Sequence, residues 1–432
     1  MLDIKAVRET PEPFRKGLGR RGLAEAVDEL LRLDERRRAL TAEVEELRAE
    51  QNRASKAIGR SQGDERQKLI EAVAKVSGRL KELEPQLDEA AELLEAALSR
   101  VPNVPHDSAP DGFTEDDAVE VRRKGEPPVF DFEPRDHAAL GEFLGMLDTE
   151  RGARTSGSRF VYLLGDIVLV QWALVRHALD VLAPNGFTPV IPPVLVREEA
   201  MYGTGFLPTD EVNIYVTSED DLYLVGTSEV SLAAYRMGEI LDDADLPLRY
   251  AGYSTCFRRE AGTYGKDLGG MFRLHQFDKV EMFSFARPED SWDEHELMVG
   301  IEEEIIERLE LPYRVVNIAA GDLGSSAAKK YDIEVWLPGQ GRYRELTSCS
   351  NCTDYQARRL QTRMRREGGA IETLHTLNGT ATAVGRTLIA ILENRQRADG
   401  SVEVPAALHP YLPESARVLA PKPRPQAPPS KR

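Results

Sequence analysis

Cysteine is scarce in this chain: Cys256, Cys349 and Cys352 are the three in 432 residues. Three cannot form a disulfide framework, and such sparing use fits a reducing cytosol. Long clean apolar runs are also missing. The most apolar candidate, residues 160–182, is interrupted by Asp166, Gln171, Arg176 and His177, which predicts a buried helix and no membrane span. The opening residues MLDIKAVRETPEPF contain no apolar h-region, so no signal peptide is expected. Positive charge is in deficit, with 56 Lys and Arg against 73 Asp and Glu and a net charge of −17. That excludes coating nucleic acid by bulk charge and leaves room for a local basic patch. Between residues 119 and 412 there is no GxGxxG, no GxxxxGK[ST] and no βαβ alternation, which argues against Rossmann and P-loop folds.

What is present begins with helix. Residues 23–60 hold no proline and one glycine, Gly59, and are rich in Glu, Arg, Leu and Ala. Leu40, Val44, Leu47, Gln51, Ala54 and Ile58 alternate by four and three. After a break at SQGD the series resumes as Leu69, Val73, Val76, Leu80, Leu83, Leu87, Ala90, Leu94, Ala97 and Val101. This is the 3.5-residue period of a coiled-coil seam, and the short break predicts an antiparallel helical hairpin. Pro85 lies off the seam and predicts a kink. Arg32, Arg36, Arg37, Arg38, Arg48, Arg53, Lys56 and Arg60 line the first helix, interleaved with acids as on a charged coiled-coil surface. VPNVPHDSAPDGFTEDD then reads as a proline-rich linker. The expected domains are a helical arm over 1–104, a linker over 105–118, a globular domain over 119–412 and a disordered proline-rich basic tail over 413–432. The fold class is α+β, with the globular domain built on a mainly antiparallel sheet flanked by helices.

The densest chemical signal is FRREAGTYGKDLGGMFRLHQFDKVEMF, from Phe257 to Phe283. Residues 250–260 read as one strand, with Arg258 and Glu260 on one face. AGTYGKDLGG supplies four glycines, which suits a long mobile loop. A second strand is expected from Met271. Its odd positions, Arg273, His275, Phe277, Lys279 and Glu281, form a polar face around one aromatic ring; Phe272, Leu274, Val280 and Met282 form the core face. A solvated sheet edge is the plainer account of that polar face. Against it, arginines from both strands converge on Phe277, and a triphosphate takes guanidinium groups while a purine takes an aromatic face. Further on, Arg386 sits early in a predicted helix, where a cation opposes the helix dipole by ~0.3–1 kcal/mol; a bound anion would give a reason for it.

FRREAG followed by RLHQFDKVEMF resembles motif 2 of class II aminoacyl-tRNA synthetases, and specifically of seryl-tRNA synthetases. TSEVSLAAY resembles that family's TAE segment, ELTSCSNCTDYQARR its ATP- and metal-binding strand, and LNGTATAVGRTLIAILEN its motif 3. GFTPVIPPVLV, from Gly186 to Val196, resembles motif 1, the dimer-forming strand, and the hairpin resembles the tRNA-gripping arm of bacterial members. The resemblance covers nearly the whole chain except the tail. It implies a cytoplasmic homodimer that joins L-serine to ATP and then to tRNA(Ser), with tRNA(Sec) as a further candidate. It implies that Arg258 contacts the α-phosphate and the serine carboxylate, that Arg386 holds the γ-phosphate and that Phe277 stacks on adenine. Arg258, Glu260 and Arg386 are the implied catalytic set, with Glu260 and Arg273 also on ATP. Glu345 and Ser348 would hold ATP and its Mg2+, which prefers oxygen ligands. Thr227 and Glu229 would take the serine ammonium, and Glu281 and Thr380 its hydroxyl. Ser228 and Thr380 depart from the commoner alanine and serine of relatives. The CxxC of Cys349 and Cys352 has no partner pair, so no zinc is expected. Two other readings stay open: a paralogue that activates a small amino acid for a carrier protein or secondary metabolite, and a catalytically inactive coiled-coil RNA-binding protein.

Overall fold

The structure, a computed structural model, describes residues 1–261 and 270–421. It divides into two compact units, Met1–Val104 and a second that begins at Pro105.

The first unit has four helices: α1 (Ile4–Glu9), α2 (Pro11–Gly19), α3 (Ala26–Ile58) and α4 (Gly63–Arg100). Asp3 starts α1 by accepting the Lys5 amide at 2.9 Å, and Pro11 opens α2 at a position where its missing N–H costs nothing. The long pair forms the expected hairpin, and α4 runs through Pro85 without interruption. Val44, Val76, Leu80 and Leu83 pack along the seam. A larger cluster sits at the base, where Leu2, Val7 and Leu18 join Val27, Leu30, Leu33, Leu94, Leu98 and Val101. The seam period does not reveal this base, because α1 and α2 are too short to show a period of their own. Toward the tip, Ala54, Ile58, Leu69 and Val73 are only half-buried, since no third element covers them there. Of the basic residues on α3, Arg36 pairs with Glu89 and Arg48 with Glu84 across the hairpin, and Arg37 pairs with Asp34.

The second unit is built on eight strands: β1 (Val119–Lys124), β2 (Thr188–Val190), β3 (Leu248–Phe257), β4 (Gln276–Ala286), β5 (Tyr313–Asn317), β6 (Lys329–Leu337), β7 (Arg342–Asn351) and β8 (His375–Ala383). Their order is β1-β5-β6-β7-β8-β4-β3-β2. All neighbours are antiparallel except β2, which runs parallel to β3. Helices α5 (His137–Leu144), α6 (Asp166–Leu182), α7 (Glu229–Ala234), α8 (Ser291–Arg308) and α9 (Val384–Asn394) accompany the sheet. Ile167, Val170 and Leu174 of α6, Met298 and Ile305 of α8, and Leu388 and Ile391 of α9 share one core with Val280, Met282, Ile333 and Val335 of the sheet. Helix α6 is long and apolar enough to cross a membrane by composition, but ten of its residues are buried, eight of them in this core.

Three expectations need correction. Residues 105–118 are not a free linker. The His106 amide donates to Ala328 O at 2.8 Å, Pro110 O and Gly112 O accept from Ala320 and Gly321, and Ala109 is buried among Val316, Ile318 and Leu323. The disordered tail does not begin at 413. Val418–Leu419 pairs with Val402–Glu403, and Ala416 and Leu419 are buried in the main core. The remaining tail, residues 422–432, lies outside the described residues, as do residues 262–269 of the glycine-rich loop. The hairpin strands are shorter than expected. The ladder ends at Phe257 and Gln276, because the His275 amide turns to Arg159 O at 3.1 Å and Glu260 takes φ +50°. Arg258, Glu260, Arg273 and His275 therefore flank the strands and do not sit in them. The polar face of β4 is no solvated edge, in keeping with the argument against that account: Lys279 and Glu281 are 7% and 1% exposed.

Candidate active site

A cleft opens over β4, β7 and β8. It is lined by Arg258, Glu260, the segment from Met271 to Leu274, Phe277, Lys279, Glu345, Ser348, Thr380, Gly385 and Arg386. Eight residues singled out in the sequence thus meet at one place: Arg258, Glu260, Arg273, Phe277, Glu345, Ser348, Thr380 and Arg386. Thr227, Glu229 and Glu281 are absent from that lining. They are buried beside it and reached through Lys279.

The arginines are held by neighbours that leave their charge in the cleft. Arg258 donates from Nε to Gly226 O at 3.1 Å, and its guanidinium lies 5.4 Å from the centre of the Phe277 ring. Arg386, third residue of α9, donates to Glu345 O at 3.1 Å and pairs with the Glu345 carboxylate at 3.3 Å. Arg273 approaches Glu260 at 3.4 Å. Phe272, assigned to the core by alternation, is buried, yet its ring also lines the cleft. Arg344 and Arg386 approach it with guanidinium carbons 4.0 and 4.7 Å from its centre. Sequence reasoning missed Phe272 and Arg344 because their roles depend on that three-way contact.

Glu345 and Ser348 are three apart, so a regular strand would aim them at opposite faces. Thr347 does point to the helix layer, where its hydroxyl donates to Glu302 of α8 at 2.8 Å. The register between β6 and β7 slips by one residue at Leu346: Ile333 faces Thr347, and Glu334 faces Glu345. Such a bulge re-aims the side chains beyond it, and Glu345 comes round to the same cleft as Ser348. A second slip, at Ala381 of β8, sets Thr380 directly opposite Glu281 of β4.

The buried pocket beside Lys279 is a closed polar group. Lys279 Nζ donates to Thr227 Oγ1 at 2.8 Å and is ion-paired with Glu281; the Thr227 hydroxyl donates to Glu281 at 3.2 Å. Glu229 Oε1 accepts from Gln356 at 2.7 Å and from Asn378 at 3.0 Å. Burial, reinforced by the Glu281 charge, lifts the Glu229 carboxyl from an ordinary 4.5 to about 7. Burial raises Glu281 as well, opposed by Lys279. Glu345 goes the other way. Its desolvation is outweighed by the Arg386, Lys330 and Arg258 charges, which hold its carboxyl at about 2. The cleft therefore offers an ionised carboxylate beside a hydroxyl, three guanidinium groups, and a buried acidic recess. Lys279, Gln356 and Asn378 join the site without having been singled out for it; for Lys279 the alternation along β4 was the available signal.

Cys349 and Cys352 are both buried, and burial raises both thiols above their ordinary value. Cys352 accepts a weak hydrogen bond from Asn378 at 3.6 Å, so it packs behind the recess. Ser228 is buried too, its hydroxyl 3.4 Å from Gly252 O.

Comparison with known proteins agrees with this geometry. Residues 1–105 match the seryl-tRNA synthetase N-terminal domain, and residues 213–395 match the tRNA synthetase class II core domain (G, H, P, S and T). The chain is 51% identical to a serine–tRNA ligase of Acidothermus cellulolyticus over 98% of its own length and 100% of that protein. It is 51% identical to one of Thermobifida fusca over 95% and 97%. Among solved structures, it resembles the seryl-tRNA synthetase of Pyrococcus horikoshii complexed with ATP, with a TM-score of 0.92, 44% identity and coverage of 98% and 100%. It also resembles the cytoplasmic enzyme of Naegleria fowleri in complex with AMP, with a TM-score of 0.85, 36% identity and coverage of 95% and 97%. With a two-unit fold, a charged cleft and full-length relatives in agreement, the chain belongs to the seryl-tRNA synthetase family.

Proposed function

We propose that the cleft joins L-serine to ATP as seryl-adenylate and that the chain then transfers the seryl group to the 3′ end of tRNA(Ser). The observation that carries this reading is the convergence of Arg258, Arg273 and Arg386 on a cleft that adjoins a buried Thr227–Glu229–Glu281 recess. The serine carboxylate is already ionised at neutral pH and needs no general base. Catalysis is then positioning plus neutralisation of charge that develops on phosphoryl oxygens. Arg258, fixed by Gly226 O and lying over Phe277, would serve both the α-phosphate and the amino-acid carboxylate. Arg386 would hold the γ-phosphate through pyrophosphate departure, with adenine on Phe277. Arg273, tied to Glu260, adds a further cation on the phosphates.

Glu345 and Ser348 fit a magnesium ion. Both present oxygen, the carboxylate is held ionised, and an ion carried largely by nucleotide phosphates needs only one or two protein ligands. Bound there, the ion would supply charge neutralisation of phosphate oxygens. In the recess, Glu229 and Thr227 suit the serine ammonium, and Glu281 with Thr380 suits its hydroxyl. A site that hydrogen-bonds a hydroxyl rejects the analogue lacking it by roughly 10⁴–10⁵ in favourable cases.

The arm is the element for tRNA, with tRNA(Sec) a further substrate of the same kind. The match of residues 1–105 to the family's N-terminal domain and the full-length relatives favour this reading over a carrier-protein paralogue. The assembled charges of the cleft favour it over an inactive binding protein. Dimerisation through residues 186–196 is supported by the place of β2 at the sheet edge and by Ile191 and Trp172, exposed at 85% and 52%. The cytoplasm is the proposed location, where tRNA is charged. A charging assay with total tRNA and, separately, serine, threonine, alanine and glycine tests the whole: serine alone should be transferred efficiently, and no transfer with any of them would sink the proposal.

A further inference from the structure

Beneath the nucleotide end of the cleft lies a buried pair that none of the assigned roles uses. His137 is the first residue of α5, a helix capped by the Asp136 carboxylate, which accepts the Ala139 amide at 2.8 Å. Glu393 stands near the end of α9, the helix that carries Arg386. Both are buried, at 4% and 0% exposure. Glu393 Oε1 accepts from the His137 amide at 3.1 Å and lies 2.8 Å from His137 Nδ1; its Oε2 accepts the Gly339 amide at 2.9 Å. On the far side of the ring, His137 Nε2 lies 3.2 Å from the Met271 amide.

The partners dictate the tautomer. A carboxylate can only accept and a backbone N–H can only donate, so the proton sits on Nδ1 and Nε2 accepts from Met271. The imidazole thus ties a carboxylate of α9 to the chain segment that returns toward β4. Gly270 completes the fit. It adopts φ +74°, and a Cβ there would come within 2.1 Å of His137 Nε2, so only glycine lets the segment approach the ring this closely. Met271, Phe272 and Arg273, immediately beyond the tie, all line the cleft, and Phe272 is the ring on which Arg386 rests.

We propose that Glu393 and His137 form a positioning pair that fixes the Met271 segment and so sets Phe272 and Arg273 for the nucleotide. This rests on the reading that the cleft holds ATP. The pair touches neither ATP nor serine; it acts through the backbone of Met271.

Two substitutions divide the two sides of the ring. His137→Asn keeps a donor where Nδ1 stood, and so the bond to Glu393, but nothing reaches Met271. His137→Gln places an amide oxygen where Nε2 stood and gives up the donor to Glu393. In serine-dependent ATP–pyrophosphate exchange with the full chain, His137→Asn should raise the ATP KM about three- to tenfold, the size of one lost hydrogen bond, and leave the serine KM in place. His137→Gln keeps the acceptor for Met271 but loses Glu393's hold on the side chain, so it should raise the ATP KM less, about two- to threefold, and leave the serine KM in place. A merely structural pair would reverse that ranking, since Asn preserves the contact between α5 and α9. An unchanged ATP KM in His137→Asn, or ATP and serine KM rising together in both variants, would overturn the proposal. Arg386→Ala in the same assay separates the two readings: if it leaves exchange intact, the ATP reading fails and takes this one with it. If it abolishes exchange while His137→Asn behaves as wild type, the positioning pair alone fails. Hydrogen exchange on the unsubstituted chain reads the bond even if neither variant folds. The Met271 amide should exchange at least about tenfold more slowly than an open amide, and exchange at the open rate would refute the tie.

Discussion

Replacing Glu281 with glutamine separates hydroxyl recognition from fold support, and the structure sets both magnitudes. Glu281 is 1% exposed, ion-paired with Lys279 and hydrogen-bonded by Thr227. Glutamine keeps the size and one acceptor but removes the charge. For serine, the lost charge-assisted hydrogen bond is worth about 1.5–3 kcal/mol, or roughly 10- to 150-fold in kcat/KM. Alanine never makes that bond, so its activation should fall less and the preference for serine over alanine should narrow. The same change leaves the buried Lys279 ammonium without its counter-charge. Losing one partner of a buried pair costs about 3–5 kcal/mol, and the retained amide oxygen points to the low end of that range. Denaturant unfolding should show that loss. Adding Lys279→Met removes the orphaned charge, and should return part of the stability while restoring none of the serine preference. The assay is pyrophosphate exchange with serine and with alanine, beside equilibrium unfolding of the single and double variants. Equal losses for serine and alanine would refute the reasoning. Glu281 would then serve the ammonium or the fold, and Thr380 would be the next residue to test as hydroxyl reader.

Arg386→Ala should cut adenylate formation by about 10²–10³ with the fold intact, because it removes a preorganised charge from the leaving group; exchange within threefold of wild type, on the order of 1 kcal/mol or less, would contradict that role. The raised Glu229 carboxyl predicts a pH effect. Its neutral form is favoured in the fold, so its contribution to stability is complete below about 4.5 and is lost as pH rises through about 7. A serine ammonium pairs only with the ionised form, so the serine KM should rise as pH falls below about 7, by up to roughly tenfold per pH unit, and Glu229→Gln should flatten the profile. A flat wild-type profile between pH 5.5 and 8, a range spanning roughly a 300-fold change in proton activity, would count against Glu229 as the ammonium partner. For the arm, residues 25–100 cannot be removed whole, since Val27, Leu30, Leu33, Leu94 and Leu98 pack with Leu2, Val7 and Leu18. Excising residues 41–86 and closing the helices with a short turn keeps that base. This should spare pyrophosphate exchange and abolish tRNA charging; near wild-type charging would show that the arm is not the recognition element.

The sequence by itself determined the parts that depend on near neighbours in the chain. The 3.5-residue period of Leu40, Val44 and Leu47, resumed at Leu69, is a property of successive turns, and it produced the α3–α4 hairpin. The polar set from Arg273 to Glu281 marked the site for the same reason. Composition placed the apolar stretch of α6 in a core and not a membrane. Tertiary structure alone decided what depends on how distant strands align. Alternation cannot bring Glu345 and Ser348 to one face. The slip at Leu346 does so, and a slip exists only relative to a partner strand. Alternation likewise marked a polar face on β4 but could not show its burial: β3 and β8 flank the strand, and Lys279 and Glu281 are buried and ion-paired with each other. Residues 105–118 and 414–419 look like linker and tail because prolines and charges dominate them locally. They are ordered because Ala109, Ala416 and Leu419 find apolar partners hundreds of residues away or across a turn of chain. The tie from Glu393 through His137 to Met271 spans more than 250 residues. A single histidine and a single glutamate carry no local pattern, and only folding, which buries both where each must find a hydrogen-bond partner, gives them a joint role.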